Sequence, residues 1–237
     1  MNVQSNTYTF IYSAVLVIVV ALALSFTATS LKDKQQKNIE MEKQQAMLGS
    51  IGIKCKREKA PELFKKYFVN SYVINSKGEV IKNPHTDAFH INLKDENRKP
   101  VEKRELPLFE ANIDGKTLYV IPVLGKGLWG PIWGYIALED DFNTIYGVKF
   151  DHKSETPGLG AEITTEKFQK QFKGKKLFDE TGKFVSILVI KGGMADMSNP
   201  HQVNGISGGT MTSKGLQRML YDSLKPYENY FKKHKKH

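Results

Sequence analysis

The sequence predicts an α+β protein: a single N-terminal transmembrane helix, then one domain built on a mixed, mostly antiparallel sheet with flanking helices. Three observations point there. Residues 8–28 hold no charged side chain and are dominated by Ile, Val, Leu and Ala. Residues 71–123 and the segments after them contain strand-like pieces separated by Gly, Asn, Asp and Pro turns. The helical patterns among these strands are short, which suits a sheet with flanking helices better than a doubly wound fold.

The first element is the apolar run. At about 1.5 Å per residue it extends roughly 30 Å as a helix, the thickness of a bilayer core. A cleaved signal peptide is the competing reading. Residues 1–7 carry no Lys or Arg, however, and the run is long for a signal h-region of about 7–15 residues. An uncleaved anchor over 8–28 is therefore expected. Lys32, Lys34 and Lys37 follow it, and local charge alone would keep the following chain in the cytoplasm. A long downstream domain weakens that rule and leaves the side open.

Residues 29–48 are rich in helix formers and read as a helical stalk ending at Gly49, ahead of a domain over 49–237. Pro61 starts another helix with Leu63, Phe64, Tyr67 and Phe68 on one face. Strands are expected at 72–74, 117–123, 132–138, 143–151 and 184–190, and a helix at 165–172, closed by Gly174. Leu216, Met219, Leu220 and Leu224 fall at helical spacing. The stretch 232–237 reads as a solvated basic tail.

The formal net charge of +10 calls for an anionic partner, such as a lipid surface, nucleic acid or a phosphate-bearing ligand. No nucleic-acid-binding signature accompanies the charge, so nucleic acid is not expected. Cys55 is the only cysteine. This excludes an intrachain disulfide and cysteine-based zinc or iron–sulfur centres.

GlyLysGlyLeuTrpGly at 125–130 matches G-x-G-x-x-G. A dinucleotide site needs a helix immediately after the glycines; here Pro131 and a strand-like run follow. Two readings stay open: a glycine-rich loop holding Trp129 against a planar ligand, or a hairpin with Trp129 in the core. At 151–163, Thr156-Pro157-Gly158 is a turn signal, and Gly158 and Gly160 allow close backbone approach to a ligand. His152 and Glu155 could form an acid–base or metal pair, but no third ligand has suitable spacing. His85, Asp87 and His90 read as surface polar residues. No metal site is expected.

VNGISGGTMTSKGL at 203–216 is the most informative stretch. It sets Thr210 after Gly208-Gly209, just ahead of an amphipathic helix for which Thr212 or Ser213 is a plausible N-cap. Unpaired amides and the helix dipole at such a start suit a phosphate. The amides from Ser207 to Thr212 can form an anion nest.

Three stretches then occur in order: GlyLysGlyLeuTrpGlyProIleTrpGlyTyrIleAlaLeu, HisLysSerGluThrProGlyLeuGly and SerGlyGlyThrMetThrSer. Together they resemble the C subunit of the sodium-translocating NADH:quinone oxidoreductase, and the resemblance covers nearly the whole chain. It implies an FMN-binding domain over 49–237 on the periplasmic face of the bacterial inner membrane. It also implies covalent FMN, bound through a phosphoester to the last Thr of a motif written roughly Asp-Gly-x-Ser-Gly-Ala-Thr. That Thr corresponds to Thr210; Asn204 stands where Asp is usual and Gly209 where Ala is usual. Under this resemblance Ser207, Gly208, Gly209 and Thr212 surround the phosphate. The stretch Glu155, Thr156, Gly158, Leu159 and Gly160, with Leu128 and Trp129, walls the isoalloxazine ring. Lys191 is a cationic neighbour for a reduced, anionic flavin. The implied partners are other subunits of a membrane redox complex, membrane lipid and a flavin transferase, with no NADH site and no catalytic acid or base in this subunit. The G subunit of the Rnf-type complex shares GluThrProGlyLeuGly and Ser-Gly-x-Thr, but GlyLeuTrpGly looks more like the quinone reductase. A membrane-anchored, non-redox binding module would explain the anchor and the charge, but not the three ordered motifs.

Overall fold

The computed structural model describes residues 5–82 and 88–235. Of the three residues at 85–90 noted above, His85 and Asp87 lie outside the described residues. The chain forms two units, Met1–Lys43 and Gln44–His237. Helix α1 runs over Asn6–Ser50, so the expected span and stalk are one continuous element. It holds no Pro, and no Gly before Gly49, which leaves nothing to break the hydrogen-bond ladder. Among the described residues it is the one helix long and apolar enough to cross a membrane.

In the second unit, α2 (Ala60–Tyr67) carries Pro61 in its first turn, where a missing N–H costs nothing. The sheet follows: β1 (Phe68–Ile74), β2 (Val80–Lys82), β3 (Leu106–Ile113), β4 (Lys116–Lys126), β5 (Pro131–Leu138) and β6 (Ile145–His152). A short α3 (Leu93–Glu96) precedes β3. The strand order is β2-β1-β3-β4-β5-β6, and every pairing is antiparallel. Strand alternation feeds two cores, one on each face. In β4, Leu118 and Val120 join Met47, Leu48, Ile51 and Ala60 on one face. Ile121 and Val123 join the apolar stripe Leu216, Met219, Leu220 and Leu224 on the other. That stripe belongs to α5 (Thr210–Leu224), which is reached through α4 (Glu166–Gln169), β7 (Leu188–Ile190) and β8 (Gln202–Asn204). Strands β7 and β8 form a separate parallel pair.

Three local expectations change. Only the last part of 184–190 is extended: Phe184 bridges Phe178, and Ser186 adopts φ 59°, which interrupts the strand. The 165–172 helix is α-helical over Glu166–Gln169 and tightens to a 3-10 turn at Lys170–Phe172. The basic C-terminus is not simply a solvated tail, because α6 (Glu228–His234) carries its first half. Tyr230 and Phe231 are buried there, Lys232 pairs with Glu228, and Lys233 Nζ donates to the Lys77 carbonyl at 2.8 Å.

Candidate cofactor site

The site is assembled where three loops meet the start of α5. After β8 the chain turns through Gly208, whose φ of 74° is left-handed and open to glycine at no steric cost. The Gly209 amide donates to the Ile206 carbonyl at 3.0 Å, and α5 begins at Thr210. The N-cap is Gly209, without a side-chain cap, so the expected capping by Thr212 or Ser213 is corrected. The helix opens earlier than the sequence suggests, which puts both hydroxyls inside its first turn. Ser213 Oγ accepts from the Ile206 amide at 3.0 Å. Thr212 Oγ1 donates to Glu155 Oε2 at 2.5 Å. The amides of Thr210, Met211 and Thr212 have no acceptor within the helix and sit at the positive end of its dipole. Thr210 itself is exposed at the first helical position, and Ser207 and Gly208 beside it are exposed too.

The second loop is the hairpin between β4 and β5, closed by Gly127 N–H donating to the Gly130 carbonyl at 2.8 Å. Its tip presents Leu128, 48% exposed, and Trp129, 66% exposed. The hairpin is therefore real, but Trp129 is not its core residue. Pro131 opens β5 directly, so no helix follows the glycines.

The third loop, 155–160, ties the other two together. Glu155 is only 4% exposed. Its Oε1 accepts from the Trp129 amide at 2.8 Å, and its Oε2 accepts from Thr212. Its own amide donates to His152 Nδ1 at 3.1 Å. Burial pushes the Glu155 pKa up, but the Thr212 hydroxyl and the amides of Trp129, Leu128 and Gly130 outweigh it and hold the carboxyl below its ordinary range. An ionised carboxylate thus joins the hairpin tip to the first turn of α5. Gly160 is buried against this pair: a Cβ there would come within 2.5 Å of Glu155 Oε2 and also strike the Thr212 hydroxyl. Thr156 is exposed, and its carbonyl accepts from the Leu159 and Ala161 amides, both at 3.1 Å. Gly158 turns at φ 73°. This leaves Leu159 41% exposed, with its side chain against Gly208.

Lys191 is exposed at the end of β7 and precedes Gly192, which lies against the backbone of Gly205 and Ser207. Its side chain makes no ion pair with a described residue. The structure thus gathers the hairpin tip, the 155–160 turn and 207–212, while Lys191 flanks them in the turn that follows β7. One contributor carried no separate signal in the sequence, and one was flagged only as a departure from the motif. Met211 is exposed beside Thr210, yet reads simply as another apolar helix residue. Asn204 fixes the 191–197 loop: Oδ1 accepts from the Ala195 amide at 3.0 Å, and Nδ2 donates to Met197 Sδ at 3.3 Å. An Asp here could make the first bond but, when ionised, not the second.

This architecture and these motifs define an FMN-binding domain, whose family model matches residues 127–225. A relative from Vibrio vulnificus, the C subunit of its Na(+)-translocating NADH-quinone reductase, is 33% identical over 79% of this chain and 78% of its own length. The crystal structure of the C subunit from Parabacteroides distasonis shares 39% identity with a TM-score of 0.78, covering 85% of this chain and 96% of that one. NqrC of Shewanella oneidensis matches with 31% identity and a TM-score of 0.66, covering 83% and 97%. The chain belongs to the family of C subunits of the Na(+)-translocating NADH-quinone reductase.

Proposed function

We propose that this chain is the electron-relay subunit of a sodium-pumping NADH:quinone reductase, single-pass in the bacterial inner membrane with its domain on the periplasmic side, and that it carries FMN as a phosphoester on Thr210 Oγ. One observation carries the covalent assignment: the Thr210 hydroxyl is exposed at the helix start, while the nearby hydroxyls of Thr212 and Ser213 are buried in internal hydrogen bonds. The surroundings fit FMN. Three amides without helical acceptors suit a phosphodiester charge, and the exposed Leu128, Trp129 and Leu159 offer apolar and aromatic surface to a flat ring.

FMN supplies the redox chemistry when bound. The chain's residues hold it and tune its surroundings. The amides of 210–212 neutralise phosphate charge, and Lys191 adds a cation at the rim. Leu128, Trp129 and Leu159 exclude water. Glu155 is a positioning residue: it stays ionised and holds the hairpin tip in register with α5. No side chain is required to move a proton.

The test is made in the assembled complex. Thr210→Ala should leave the full set of subunits in place and abolish NADH-driven quinone reduction. Normal turnover in that variant would remove the proposal. The side is tested separately through the half-buried Cys55: periplasmic placement predicts labelling by an impermeant thiol reagent in intact cells. Labelling only after lysis would reverse it.

A further inference from the structure

A groove of about 1010 Å³ is lined by α5, the end of β4 and residues 94–104, with Gly127 and Met211 toward the start of α5 and Lys225 and Asn229 beyond its end. Six cationic side chains line it, against the carboxylates of Glu102, Asp222 and Glu228. Glu228 is already taken by Lys225 and Lys232. Lys94, Lys126, Lys214 and Arg218 make no ion pair among the described residues. Six cationic side chains against three carboxylates leave this face with an excess of positive charge, which selects for an anionic occupant.

The shape selects further. The groove follows α5, a helix about 22 Å long for its 15 residues. That is far longer than one phosphate or headgroup, and matches about seven residues of extended peptide at roughly 3.3 Å each. Lys214 and Arg218 stand one helical turn apart, about 6 Å along the axis. Alternate residues of an extended chain repeat at about 6.6 Å on one side. Leu124 and Met219 give the groove an apolar floor. We propose that the groove docks an extended acidic segment of a neighbouring protein subunit, with Asp or Glu alternating with apolar residues. Met211 lines the groove and adjoins Thr210, so the docked segment ends beside the flavin-bearing residue. This last consequence rests on the function proposed above; the docking itself does not.

The probe is a fluorescent heptapeptide, Glu-Leu-Glu-Leu-Glu-Leu-Glu, added to the full-length chain in neutral detergent. The wild type should bind it with an affinity that falls as salt rises. Lys214→Glu/Arg218→Glu should weaken binding roughly ten-fold or more, and the neutral Lys214→Gln/Arg218→Gln by less. Both variants should keep the wild-type flavin mass and melting temperature. Equal binding by wild type and the charge-reversed variant would overturn the proposal. So would failure to bind peptide combined with salt-sensitive, Lys214/Arg218-dependent binding to phosphatidylglycerol vesicles, which would give the groove to lipid. Intact mass keeps the two readings apart: a wild type made beside a flavin transferase that binds peptide but carries no FMN refutes the flavin assignment alone.

Discussion

Thr210 and Thr212 are the same residue two positions apart on one helix, and they live in different chemical worlds. Thr210 is exposed. Thr212 is 1% exposed and spends its hydroxyl on Glu155. Helix periodicity makes the difference, since a step of two residues rotates the side chain through about 200°. The first face is available for chemistry and the second for construction. Beside Thr210 the Met211 and Leu159 side chains are exposed; beside Thr212 lies a buried carboxylate with its acceptors filled. Changes at the rim leave the core untouched, whereas the clasp beneath it cannot be altered without cost.

Substitutions at the clasp and the rim should separate the two roles, and the largest effect is expected at the clasp. Glu155→Ala strands the hairpin amides and the Thr212 hydroxyl, and should cost about 3 kcal/mol in denaturant unfolding. A loss under about 0.5 kcal/mol would mean that the carboxylate does not join the two elements. Thr212→Val removes one donor and preserves shape, so about 1–2 kcal/mol is expected, with flavin attachment retained.

The pH dependence follows from the same carboxylate. The folded-state pKa of Glu155 is held below its ordinary value of 4.5. Its contribution to stability is therefore complete above about pH 4.5 and disappears as pH falls through the lower, folded value. Glu155→Gln should flatten this acid limb in a stability-versus-pH series. An unchanged slope would show that other groups set it. The smallest stability effect belongs to the rim: Trp129→Ala should shift unfolding by less than about 0.5 kcal/mol while brightening flavin emission, because an aromatic neighbour is lost.

The sequence made the fold class legible because its strand-like pieces are set off by Gly, Asn, Asp and Pro turns and α1 is one unbroken apolar and helix-forming run. In β4, Leu118 and Val120 face one core and Ile121 and Val123 the other, so the strand reads in sequence as one apolar run between turns. Strand β3 was not separately legible: Pro107 near its start suggests a break, yet it pairs opposite Val73 inside the sheet. The site was legible as three motifs but not as an assembly. Glu155 looked like a ligand or acid–base candidate because one-dimensional spacing cannot show that Leu128, Trp129 and Gly130 fold back over it. The same limit hid the cap, since Gly209 carries no side chain to announce it. It also hid the groove, because Lys126 and Lys214 are 88 positions apart and meet only when α5 packs on β4.

The central claim is that the open hydroxyl, and not the buried one, bears the flavin. Full-length wild type, Thr210→Ala and Thr212→Val, each made beside a flavin transferase, decide it by intact mass. One added FMN on wild type and Thr212→Val, with none on Thr210→Ala, is the predicted outcome. An adduct that survives Thr210→Ala, or a wild type without one, would contradict it.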